Sequence, residues 1–332
     1  MTLFKRLLGL LLATLVSACA ADLRPAGPPI ASAAYDTDAW QAPDGVRLPM
    51  RAWLPKGRTD AVILALHGMN DYSHAFDGPG TFLSRHGIAV YAYDQRGFGK
   101  GPHPGYWSDG ADMAADLLTA ARLVAARHPG KPLFLLGESM GGAVAMLAAA
   151  GHPPPEIKGV ILSAPAVWGR AEMGLVQRAA LWLAYEVVPG WELTGRGLHI
   201  TASDNIEMLR ELSRDPLVIK ATRVDAIHGL VDLMDDAFAV APRLTLPALV
   251  LYGAKDEVIP PNPTWDMIAS LPGLGRTQKV AYYDHGYHML LRDLEAERVL
   301  ADVVAWINDP AAPLPSGADR RAATEMEKRA GG

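Results

Sequence analysis

Cysteine is almost missing from this chain: Cys19 is the only one in 332 residues, so no intramolecular disulfide can form. A positive balance of charge is also lacking. The formal net charge is −5 and no long basic run occurs, which leaves no phosphate-reading surface and excludes nucleic acid as a partner class. A long hydrophobic run is lacking too, because the stretch Leu7 to Val16 falls short of the roughly 20 residues needed to cross a bilayer. What remains is a globular balance, with half the residues apolar and 20% charged. The length allows one large core or two ordinary ones, and α/β folds often exceed the usual domain size as a single unit.

The first nineteen residues stand apart. Lys5 and Arg6 precede the apolar run, and Ser17, Ala18 and Cys19 follow it, the order of a secretory signal. Cys19, placed directly after Val16-Ser17-Ala18, resembles the lipobox cysteine of bacterial lipoproteins, which is lipidated and becomes the new N-terminus. The plainer alternative is an ordinary signal peptide with an incidental thiol. The lipobox reading implies an exported, membrane-anchored bacterial lipoprotein, on the periplasmic or outer-membrane side. Residues 20–34, rich in Ala and Pro, then read as a tether, and residues 35–308 as the folded domain.

Inside the domain, Arg47 to Leu54 alternates like an exposed strand. Ala61 to Leu66, Ile88 to Tyr93, Leu133 to Leu136, Val160 to Leu162 and Ala248 to Tyr252 are instead continuously apolar, as strands covered on both faces are. Val280 to Tyr283 reads as the last strand. Helical spacing appears over Ala111 to Arg127, Ser139 to Ala150 and Asp293 to Ile307. This alternation predicts an α/β architecture with a mostly parallel sheet. From about residue 167 to 243 no convincing strand is found, only helical stretches, which predicts a helical cap over the sheet's carboxyl edge. Residues 309–332, rich in Pro, Ala and charge, are expected to be disordered.

The chemistry centres on Gly137-Glu138-Ser139-Met140-Gly141-Gly142, a Gly-x-Ser-x-Gly pattern between a buried strand and a helix. A sharp turn there lifts a serine hydroxyl to the sheet edge; the bland alternative is a helix N-cap serine. A serine needs a base, and the base needs an orienting acid, in the chain order Ser, Asp, His for this fold. Asp256 follows a late strand; Asp232, Asp235 and Asp236 read as a solvated helix face, and Asp284 stands too near the histidine in sequence. Of the ten histidines, His288 lies at the turn into the last helix and is preferred to His285, while His86, His128 and His152 read as solvated. Oxyanion donors would be the backbone N–H of Met140 and that of Met69, in the loop His67-Gly68-Met69-Asn70-Asp71. His67 reads as a brace for that loop. No metal or organic cofactor is implied.

These residues resemble the α/β-hydrolase superfamily, and within it the monoacylglycerol lipase and lysophospholipase group, over nearly everything from Trp53 to Ile307. The similarity is carried by His67-Gly68, Asp94-Gln95-Arg96-Gly97-Phe98-Gly99, the serine motif, Ser213-Arg214-Asp215-Pro216-Leu217-Val218, Tyr252 to Pro260 and Tyr287-His288-Met289-Leu290. The resemblance implies Ser139, Asp256 and His288 as catalytic residues and a small acyl ester or lipid as substrate. It also favours a structural Arg96. Met69-Asn70-Asp71-Tyr72 departs from the Gly-Glu-His continuation common in monoacylglycerol lipases. In the cap, Trp168, Leu175, Leu181, Trp182, Tyr185 and Trp191 are expected mostly to pack the cap onto the domain, some lining an acyl pocket or touching a membrane surface. Two rivals stay open: a peptidase of the proline-iminopeptidase kind on the same fold, and a non-catalytic lipid-binding lipoprotein.

Overall fold

The computed structural model describes residues 20–197 and 199–331, so the signal segment 1–19 and Cys19 lie outside the described residues. The strands are β1 (Ala34–Tyr35), β2 (Ala39–Gln41), β3 (Arg47–Trp53), β4 (Ala61–Leu66), β5 (Ile88–Tyr93), β6 (Leu133–Glu138), β7 (Ile157–Ser163), β8 (Glu192–Leu193), β9 (Thr222–Arg223), β10 (Ala248–Gly253) and β11 (Gln278–Tyr283). The helices are α1 (Asp77–Arg85), α2 (Gly110–Arg127), α3 (Met140–Ala150), α4 (Leu175–Val187), α5 (Ile206–Arg214), α6 (Val224–Val240), α7 (Pro261–Ala269), α8 (Ala296–Asn308) and α9 (Ala318–Ala330).

Nine strands form one sheet in the order β1-β2-β3-β5-β4-β6-β7-β10-β11. From β5 to β11 every neighbouring pair is parallel, while β1 to β3 add an antiparallel ribbon to one side. The reason is visible in the residues. β4, β5, β6 and β10 are buried at every position, as helix-covered parallel strands must be, whereas β3 alternates and meets solvent on one face. Apolar side chains form two clusters. One, around Leu64, Tyr91, Leu117 and Val144, also takes in Val231 and Met234 of α6; the other gathers Ile63, Phe134, Leu251 and Trp306. Parallel strands joined by helices bring all their carboxyl ends to one rim, where this architecture places its ligands.

The structure departs from expectation in three places. Residues 20–33 lie along the domain rather than swinging free: the backbone N–H groups of Asp22, Ala26 and Gly27 donate to Asp225, Asp112 and Asp44, and Arg24 N–H donates to the Trp107 carbonyl at 2.7 Å. The cap is also smaller than residues 167–243. Helix α6 is a core helix that buries Val231, Leu233, Met234 and Ala237, and a short antiparallel pair, β8 with β9, closes the cap at Arg223. Finally, residues expected to be disordered form α9, with Leu314, Ala318 and Ala322 buried. Arg321 Nε donates to the Tyr282 carbonyl of β11, the sheet's last strand, so α9 shields an edge that would otherwise offer unpaired backbone. Polar composition concealed two alanines spaced for one helix face.

Candidate active site

Ser139 stands between β6 and α3 with φ 53° and ψ −116°, a left-handed backbone that a residue with a Cβ rarely adopts. Tertiary packing holds it there. Its N–H donates to the Ser163 carbonyl at 2.9 Å, and its carbonyl accepts from Gly142, Ala143 and Ala166. The flanking glycines are compulsory: a Cβ on Gly137 would lie 2.2 Å from the Gly141 carbonyl oxygen, and one on Gly141 would lie 2.3 Å from that of Leu66. The turn is therefore pressed against β4, with the half-buried Ser139 at its apex.

Asp256 and His288 occupy the loops after β10 and β11, on the same rim as the end of β6. Asp256 Oδ1 accepts the N–H groups of Val258 and Ile259 at 2.8 and 2.9 Å, and His288 Nδ1 lies 2.9 Å from Oδ2. A carboxylate only accepts, so Nδ1 carries the proton of this bond, which in the neutral ring leaves the lone pair on Nε2. Both side chains are buried. Lys255 N–H donates to the Gly286 carbonyl, which joins the two loops directly. The rejected candidates sit elsewhere: Asp284 is exposed and pairs with Arg321, His285, His86 and His152 are exposed, and Asp232 pairs with Arg170. His128 differs from its solvated expectation, being half-buried with its Nε2 2.8 Å from the Tyr91 hydroxyl.

The loop after β4 makes a turn closed by Asp71 N–H to the Gly68 carbonyl at 3.3 Å. Among the described residues no acceptor meets the backbone N–H of Met69, the second residue of that turn, or that of Met140, the first residue of α3. His67 is fully buried beneath it. Its Nε2 accepts the Gln95 N–H at 3.1 Å, so Nδ1 bears the proton and donates to the Gly68 carbonyl at 2.8 Å. Burial pushes its pKa below the usual value, and the ring braces the loop as a neutral group. Arg96 is equally structural, forked onto Asp116 and Asp44 with its guanidinium buried.

Sequence reasoning missed Arg292. Its guanidinium joins Asp71 of the loop after β4, at 2.8 Å, to Glu138 beside Ser139, at 3.0 Å. Burial disfavours its charge, but attraction to Glu138 and Asp71 outweighs this and raises its pKa. The signal was slight, since Glu138 inside the serine motif is an acid on a buried strand and had to find a cation.

The sequence profile of the family described as Serine aminopeptidase, S33 matches residues 57–295. The monoglyceride lipase of Rattus norvegicus is 31% identical over 271 residues, covering 80% of this chain and 88% of that protein. The monoacylglycerol lipase of Mycolicibacterium smegmatis is 28% identical, covering 79% and 93%. A soluble variant of monoglyceride lipase from Saccharomyces cerevisiae, solved with a substrate analog, superposes with a TM-score of 0.69 at 20% identity, over 85% of this chain and 95% of that one, and shares the fold. With its mostly parallel sheet, the sharp turn at Ser139 and this match along most of its length, the chain belongs to the α/β-hydrolase family described as serine aminopeptidase, S33, and is monoacylglycerol lipase-like within it.

Proposed function

We propose that this protein is a serine hydrolase that cleaves carboxylic esters of small lipids, monoacylglycerol or lysophospholipid-like, through an acyl-enzyme. Ser139 Oγ attacks the acyl carbon while His288 Nε2 takes its proton, and Asp256 holds the ring and stabilises the imidazolium. The Met69 and Met140 N–H groups receive the oxyanion. The alcohol leaves with the proton from His288, and a water activated by the same nitrogen releases the acid. The observation that carries this reading is the left-handed backbone at Ser139, maintained against its steric cost at the rim that also bears the His288–Asp256 pair. The lipase names of the similar proteins support the ester class.

The family description also names an aminopeptidase, whose free-amine substrate calls for an available carboxylate. The acids beside the nucleophile, Asp71 and Glu138, are both engaged by Arg292, which favours the ester. Ser139→Ala tests the reading: hydrolysis of a short-chain chromogenic ester and labelling by a fluorophosphonate should vanish with the fold intact, and full activity in that variant would remove the nucleophile. Wild-type protein that takes no label would be a binder rather than an enzyme.

The same reading extends to location: an exported lipoprotein held on a membrane through acyl chains on Cys19, each buried methylene contributing ~0.8 kcal/mol. Exposed apolar residues on and beside α4, among them Leu175, Val176, Trp182 and Trp191, suit a lipid surface. The mass of the mature N-terminus decides this part, and an unmodified terminus downstream of Cys19 would end it.

A further inference from the structure

The segment Ser213 to Val218 has no part in the acyl chemistry, yet it reaches the loop after β4. Asp215 Oδ2 accepts the Tyr72 hydroxyl at 2.7 Å, and its Oδ1 accepts the Leu217 N–H, so the carboxylate is fixed on both sides. Further along the same stretch, Ile219 N–H donates to the Asn70 carbonyl at 2.9 Å, and the Thr222 hydroxyl accepts from Asn70 Nδ2 at 2.7 Å. The cap thus grips the two residues on either side of Asp71.

What it grips is a turn. Gly68 to Asp71 closes by an i to i+3 hydrogen bond, with Asn70 third at φ 66°, the position at which a type II turn requires a left-handed residue and accepts Asn. Met69 is the second residue of the same turn, so anchoring the turn fixes where its N–H points. An asparagine alone samples many conformations; here its side chain and its carbonyl are both tied to the cap, and Asn70 Oδ1 is buried without a partner among the described residues. A buried amide left half satisfied fits a residue whose placement serves the turn before its own stability.

We propose that Asp215 and Thr222 of the cap are positioning residues for the oxyanion loop: acting through Tyr72 and Asn70, they set the turn that aims the Met69 N–H. The cap is then part of the catalytic frame. This rests on the reading of Met69 as an oxyanion donor.

The test uses the full chain, a soluble short-chain p-nitrophenyl ester and an alkyl boronic acid, which forms a tetrahedral adduct with an active serine. Tyr72→Phe and Thr222→Val should each lower kcat about tenfold, the scale of a small misplacement in an active site. KM should stay within about twofold, and the boronate inhibition constant should rise in step with the loss of kcat/KM. Thr222→Ser, which keeps the hydroxyl, should restore both. Should either variant not fold, Asn70→Gly keeps the left-handed backbone and frees the loop from Thr222, with the same expectation. A fall in Tm with kcat and boronate binding unchanged would overturn the proposal, as would a change confined to KM. Failure of the wider hydrolase reading is distinguishable, because wild type would then take no fluorophosphonate label, or Ser139→Ala would keep full hydrolysis, whatever the cap variants do.

Discussion

Helix α4 and the stretch from Thr201 to Arg223 belong to one cap, yet they meet the rest of the protein on different terms. Leu175, Val176, Trp182 and Leu183 on α4 are more than half exposed, and no residue of that helix is buried. The stretch after it is bonded to the loops after β4, β10 and β11. Thr201 N–H donates to Glu257 beside Asp256; the Ala202 carbonyl accepts from Met289 beside His288; Ser203 Oγ donates to the buried Asp293; and Asn205 Nδ2 donates to the Arg292 carbonyl. One part of the cap is apolar and loosely seated, the other polar and locked. The difference teaches that a cap can offer a changeable surface outside while its inner strut shares the rigidity of the site, because directional hydrogen bonds fix geometry and exposed apolar contact does not.

The sharpest way to break this contrast is at Arg292. Arg292→Met would leave Asp71 and Glu138 buried without their cation, so we expect a loss of about 3–5 kcal/mol of stability in urea unfolding and a collapse of kcat. A loss comparable to a surface substitution would mean that the rim does not depend on this bridge.

A smaller effect comes from His67 beneath the turn. Its folded pKa lies below the ordinary value while the unfolded chain has that ordinary value, so between the two the unfolded state binds more protons. Its contribution is intact above pH ~6.5 and is lost as pH falls below that value, by at most ~1.4 kcal/mol per pH unit. His67→Asn should flatten the fall of stability between pH 6.5 and 5.5, whereas α4 variants should keep the wild-type slope; equal slopes in wild type and His67→Asn would contradict a neutral buried ring.

The smallest change in stability is expected on α4. Trp182→Ser with Leu183→Ser should alter unfolding free energy by no more than about 0.5 kcal/mol, as surface changes do, while hydrolysis of vesicle-borne monoacylglycerol falls and that of a soluble ester is kept. A large loss of stability would show that α4 is packed as tightly as the strut.

Much of this was legible from residues alone. Continuous apolar runs located β4, β5 and β10 to the residue or nearly so, since a strand buried on both faces has no room for polar positions. The serine motif, a late acid and a late histidine could be named because chain order and strand ends restrict them. Three features were not legible. Helix α6 looks like a cap helix in sequence because its burial depends on α3, which lies far away along the chain. Helix α9 looks disordered because its order comes from the edge of β11. Arg292 looks like any surface arginine until Asp71 and Glu138, distant in sequence, converge on it.

Local sequence therefore determined what acts within a few residues: strand burial, helix periods, and the glycines that permit the turn at Ser139. Only the tertiary structure decided which charges meet and which cap residues hold the loop after β4. The physical reason is range. Periodicity and turn propensity are read over a single element, whereas a buried ion pair or a strut exists only once chain segments more than a hundred residues apart have been packed against each other.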